Sequence, residues 1–219
     1  MTQIFSPIAD TWVRLFIVGG MVGTLGGLGL VMAFARSDYY TGARLHPPPQ
    51  PVPFSHRHHV GGLGLDCRYC HDSVERSRLA GLPPTHTCMT CHSQIWTQAP
   101  MLAPVRRSLA EDSSLEWRRV ARLPDYVYFR HDVHIAKGVG CVTCHGRVDR
   151  MSLTYRAQPF EMRWCLDCHR DPAPHLRPRD RITDMAWEPP GDARALGQRL
   201  VEANHIRVGE LTACYVCHR

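Results

Sequence analysis

The sequence predicts a largely irregular fold of short α-helices behind one N-terminal transmembrane helix, with something other than apolar side chains filling its interior. Three observations predict it. A dense apolar run stands near the N-terminus, while the rest of the 219 residues is rich in Pro, Arg and His. Seventeen Pro and 17 Gly impose many turns and leave few long periodic stretches. All ten cysteines fall in five copies of one pattern, Cys-x-x-Cys-His, with none left over.

The five copies are Cys67/Cys70/His71, Cys88/Cys91/His92, Cys141/Cys144/His145, Cys165/Cys168/His169 and Cys214/Cys217/His218. This spacing is the attachment signature of c-type haem. Two thiols add across the porphyrin vinyl groups, and the adjacent imidazole reaches the iron as proximal ligand. Disulfides give no reason for a His after every second Cys. A zinc ribbon fits Cys67 to Cys91 and Cys141 to Cys168 by spacing, yet does not require the five histidines. The expected cofactors are therefore five covalently bound haem c. The expected fold class is a multihaem cytochrome c, mostly irregular, with short α-helices around stacked haems that act as its core.

Leu15 to Ala35 is an uncharged run of 21 residues, about 31 Å as a helix and enough for a bilayer core. Ala33-Phe34-Ala35 resembles a signal cleavage site, but the run exceeds a signal-peptide core, so an uncleaved signal-anchor is expected. Gly19, Gly23 and Gly27 recur every fourth residue, a face that admits another membrane helix. Arg14 and Arg36 nearly balance, so flanking charge does not set the orientation. Haem is attached on the outer side of the energised membrane. That places the N-terminus inside and the haem domain on the periplasmic side of a bacterial inner membrane.

The first cysteines of the motifs lie 21, 53, 24 and 49 residues apart, which reads as pair, pair, single. Phe54-Ser55-His56-Arg57-His58-His59-Val60 precedes the first pair, and Phe129-Arg130-His131-Asp132-Val133-His134-Ile135 precedes the second, 75 residues later. Asn204-His205-Ile206-Arg207-Val208 precedes the last motif, with Val208 where the second His would stand. Units with two motifs carry two upstream His, and the unit with one carries one. The expected distal iron ligands are therefore His56, His59, His131, His134 and His205. His56, His131 and His205 would serve the first haem of their units; His59 and His134 would serve the second of a pair, in the same unit or across units. His46, His58, His86 and His175 are left unassigned, and Met101, Met151, Met162 or Met185 could supply a thioether ligand.

The organisation follows: residues 1–36 the signal-anchor, 37–53 a Pro-rich linker, 54–124 the first dihaem unit, 125–203 the second and 204–219 a monohaem unit. Short helices are expected around Ser114 to Arg122 and near Ala193 to Glu202. The formal net charge is +6, but haem propionates offset it, so Arg-rich surface reads as propionate pairing and partner docking rather than nucleic-acid binding. No Gly-rich phosphate loop and no nucleophile constellation is present, and no catalytic residue is assigned.

Long strings resemble one family. Pro51-Val52-Pro53-Phe54-Ser55-His56, Cys67-Arg68-Tyr69-Cys70-His71-Asp72-Ser73-Val74-Glu75-Arg76-Ser77, Gly81-Leu82-Pro83 and Cys88-Met89-Thr90-Cys91-His92 resemble the pentahaem cytochrome c membrane subunit of alternative complex III. So do Leu123 to His131, Cys141 to Gly146 and Trp164-Cys165-Leu166-Asp167-Cys168-His169-Arg170. The resemblance implies an electron-transfer subunit of a quinol-oxidising respiratory complex, not itself an enzyme. It implies an iron–sulfur subunit and multi-spanning quinol-binding subunits as partners. A soluble or membrane cytochrome c, a copper protein or a terminal oxidase would be the acceptor. A stand-alone membrane-anchored multihaem quinol dehydrogenase shares the one-helix design.

Overall fold

A computed structural model describes residues 6–37 and 46–218. The chain divides into two units at about residue 44, the N-terminal helix and the remainder. Asp38 to Leu45 of the Pro-rich linker, Met1 to Phe5 and Arg219 lie outside the described residues.

Helix α1 (Pro7–Ala35) starts where the sequence chemistry dictates. Pro7 stands in the first turn, and Ser6 Oγ accepts the amide of Ala9 at 3.3 Å. Arg14 pairs with Asp10 at 2.9 Å one turn away. Residues Ile8–Ala35 are apolar and long enough to cross a membrane, and none of that span is buried within this chain. A Cβ at Gly19, Gly23 or Gly27 would meet nothing within 4 Å, so that face is open for another helix.

The second unit consists of short helices joined by turns; among the described residues its only β-pairing is two isolated bridges, Val127–His218 and Val139–Leu176. A π-helical turn covers Arg57–Gly62. It is followed by α2 (Cys67–Cys70), α3 (Thr85–His92), α4 (Ala103–Ala110), α5 (His131–Ala136), α6 (Cys141–His145), α7 (Met162–Arg170), α8 (Ala193–Ala203) and α9 (Cys214–Cys217). Every Cys-x-x-Cys sits on one of these helices, whose turn brings the two thiols toward one side.

The helix expected around Ser114 to Arg122 is not formed; that stretch is irregular, and the helix of this connector is α4. Pro104 fits the first turn of α4, and Asp112, at φ 46°, follows its end. Beyond it Gln50 binds both the amide and the carbonyl of Arg118, at 2.9 and 2.8 Å. Leu115 and Trp117, two residues apart, then both pack on one apolar cluster, the spacing of extended chain. The helix expected near Ala193 is present as α8, capped by the Asp192 carboxylate.

Apolar burial is thin. One cluster holds Val52, Leu102 and Val105; another holds Val74, Ile135 and Ile182. Among the described residues no large side chain is completely enclosed. A soluble domain of this length ordinarily buries one substantial core; here two small clusters flank the cysteine motifs.

Candidate functional site

The two Phe-x-His-x-x-His segments fold into different helices with the same side-chain arrangement. In the first, His56 caps the π-turn and His59 lies within it; in the second, His131 and His134 lie on α5. The Phe ring of each segment wedges its two imidazoles. Phe54 meets His56 edge-on at 4.9 Å and stacks on His59 at 4.3 Å. Phe129 meets His131 edge-on at 4.8 Å and stacks on His134 at 4.5 Å. The Phe recurs in the sequence repeat, but only the structure shows its role.

Each wedged imidazole faces the His of a Cys-x-x-Cys-His motif. His56 lies 6.5 Å from His71 with planes 7° apart, and His131 lies 6.3 Å from His145 at 5°. His59 lies 6.2 Å from His92 at 65°, and His134 lies 6.1 Å from His169 at 25°. Metal–imidazole bonds of about 2.0–2.1 Å place the centroids of two rings on opposite sides of one ion about 6.3 Å apart. The four separations fit a single iron between each pair. Both second-motif pairs form within their own unit, an alternative the sequence left open.

Backbone carbonyls orient these rings. Nδ1 is bonded to the carbonyl of Gly81 in His71, of Ile95 in His92, of Leu211 in His169 and of Tyr126 in His218, at 2.8, 3.3, 3.0 and 3.2 Å. On the opposing side His59 bonds Ser55, His131 bonds Arg78 and His134 bonds Arg130, at 2.9, 2.9 and 2.7 Å. A carbonyl only accepts, so Nδ1 carries the proton and Nε2 keeps a lone pair for a metal. His56 Nδ1 instead meets Thr154 Oγ1 at 2.7 Å. Burial, then the neighbouring imidazoles, lowers His56 and His145 to about 4, the neutral form that ligation requires.

His205 has another setting. It follows α8 with its amide bonded to Glu202 O while Ile206 N reaches Val201 O, a Schellman ending with His at the left-handed position, φ 50°. Its ring is not in contact with that of His218, whose ring neighbour is Tyr126 at 5.8 Å. The third Asn-His segment is therefore not a structural copy of the other two. Of the unassigned histidines, His58 stacks on Trp96 at 5.6 Å. Met151 and Met185 are buried, and Met101 and Met162 are exposed.

No disulfide joins any two of the ten cysteines. Burial pushes Cys144 up to about 12 and Cys168 up to about 11, so both stay protonated at neutral pH. Among the described residues no three His, Cys, Asp or Glu side chains gather as a metal-ion site. A zinc ribbon would need four such ligands together.

No family model matches the chain. Over 182 residues, 78% of this chain and 77% of the relative, it is 29% identical to the multihaem cytochrome c subunit of a menaquinone reductase from Nitratidesulfovibrio vulgaris (strain Hildenborough). With ten cysteines in five haem-attachment motifs and imidazoles facing four of them, this is a chain similar to a multihaem cytochrome c subunit.

Proposed function

We propose that the chain is the electron-transfer subunit of a membrane quinone-linked complex of the alternative complex III type. In this reading it binds five haem c through its ten cysteines. His71, His92, His145, His169 and His218 are the proximal ligands; His56, His59, His131 and His134 are distal ligands to the first four irons. In this reading His205 is the distal ligand to the fifth. The observation that carries the reading is the set of four opposed imidazole pairs. Bound haem supplies one-electron chemistry, Fe(III) to Fe(II), without bond breaking. The protein holds each imidazole in one tautomer and one orientation, which lowers the reorganisation that accompanies each electron. An imidazole facing four of the motif histidines would leave substrate no open position on those irons, which argues for a relay rather than a catalyst.

The anchor helix supports a place beside other membrane subunits, with iron–sulfur and multi-spanning quinol-binding chains as donors and a periplasmic carrier or oxidase as acceptor. The relative's name favours a second reading, a relay toward menaquinone rather than away from quinol. Pyridine haemochrome and electron paramagnetic resonance of the oxidised protein test the common part. Five haems per chain, with four or more low-spin, are expected; fewer haems, or two or more open irons, would overturn it. Quinol oxidation by the purified chain alone would replace both with a stand-alone dehydrogenase.

A further inference from the structure

The attachment motifs are not neighbours in the order the chain makes them. The first and second touch: Tyr69 Oη and Thr90 Oγ1, each inside its Cys-x-x-Cys, are 2.8 Å apart. The first also touches the third. His56 reaches Thr154, His131 reaches the Arg78 carbonyl, and Arg57 N donates to Met151 O at 2.9 Å. Cys141 packs on the apolar cluster that holds Val74, three residues after His71. Third and fourth share the two faces of α5, and Phe160 bridges His145 and Trp164 at 6.4 and 5.4 Å. Fourth and fifth meet where His169 is bonded to Leu211 O, three residues before Cys214.

The second motif has no such contact beyond the first. Among the described residues, hydrogen bonds, ring contacts and core packing of residues 85–96 stay within 52–117. Thr85 bonds Ser108, Thr90 bonds Tyr69, His92 faces His59, and Cys88 and Met89 pack on the Val52 cluster.

We infer that the five haem sites form one file in the order second, first, third, fourth, fifth, so that the second motif is an end and the first is a through-station. This rests on the five-haem reading above. Each hop oxidises one ferrous iron and reduces the next ferric one, with no proton or bond exchanged. The side of the molecule around Trp96 and His58, beside His92, is then one terminus, and the C-terminal motif is the other.

The test injects electrons at the fifth motif and counts the haems they reach. A ruthenium photoreductant is attached at Tyr215→Cys, an exposed position (67% accessible), in the haem-loaded full chain. A second change, Cys88→Ala with Cys91→Ala, removes the second haem. Under repeated flashes, fast reduction should reach all four remaining haems, because only the end of the file is gone. Motifs in chain order would instead strand the first haem and give three of four. The companion variant Cys67→Ala with Cys70→Ala should show the reverse, three of four. Where it fails to fold, the first variant alone decides. Haemochrome counts of five in the parent and four in each variant separate failure of the order from failure of the five-haem reading.

Discussion

The two Phe-x-His-x-x-His segments carry one sequence motif on two backbones, and the difference shows which part of the motif matters. Phe54 and Phe129 hold their imidazole pairs in nearly the same way, although one segment is a π-turn and the other an α-helix. The first-motif pairs are both near-parallel, at 7° and 5°; the second-motif pairs diverge, at 65° and 25°. The wedge and the i−4 carbonyls of Ser55 and Arg130 are shared, so they define the geometry common to both. The backbones differ for a local reason. Gly61 lies against the 148–150 turn so closely that a Cβ would stand 2.3 Å from Asp149 O. Its counterpart 75 residues on is Ala136, at the end of α5. The caps differ likewise: Asp66 caps α2 with its carboxylate, whereas the residue before α6 is Gly140, whose missing side chain leaves room for the Arg177 guanidinium.

The sharpest way to break this equivalence is to remove one distal imidazole from each unit. His59→Ala and His134→Ala should each turn one haem high-spin, seen as a new axial resonance and as carbon monoxide binding by one haem per chain. If either variant stays wholly low-spin, its pairing is wrong. In the parent, the His59–His92 site should give a separate, more anisotropic low-spin signal than the three whose planes lie closer to parallel. Next in size, Gly61→Ala should destabilise the haem-loaded protein by about 1–3 kcal/mol through overpacking, read by urea unfolding. Asp66→Ala should cost about 1 kcal/mol as a lost N-cap. The Arg68 hydrogen bonds lower the Asp66 carboxyl from 3.8 to about 2. The contribution of Asp66 is thus complete above 3.8 and fades as pH falls toward 2. In the parent, the stability gap to the variant should therefore close across that window. The smallest effect is Ala136→Gly, up to about 1 kcal/mol of helix propensity with no clash. A loss there equal to that of Gly61→Ala would mean that the close approach at Gly61 is not what separates the units.

Much of this was legible in the residues because covalent attachment needs a fixed spacing and a membrane helix needs a fixed length. The repeat also exposed the four opposing imidazoles, since His-x-x-His reads alike on either helix type. What stayed hidden depends on contacts between distant segments. Nothing near Ser114 announces that Gln50 will take the hydrogen bonds of Arg118, so a helix looked as good as extended chain there. The Asn-His segment before the last motif matched the repeat by spacing alone; α8, capped by Asp192, runs into it and puts His205 at a helix ending rather than a helix start. The contacts between the first and third motif regions, Arg78 O with His131 and Arg57 N with Met151 O, are pairings that no local pattern encodes.

The thin apolar clusters have a consequence for how the molecule is made. Helices of four or five residues, such as α2, α6 and α9, cannot nucleate alone in water. Two clusters of three buried residues each give them little to dock on. If haem is attached at these motifs as proposed, ligation would supply the support that these short helices lack on their own. A polypeptide synthesised without attachment should show little helical circular dichroism outside α1. On the five-haem reading, cofactor delivery would itself be a folding step, and a site left empty would be a defect in shape as much as in redox capacity.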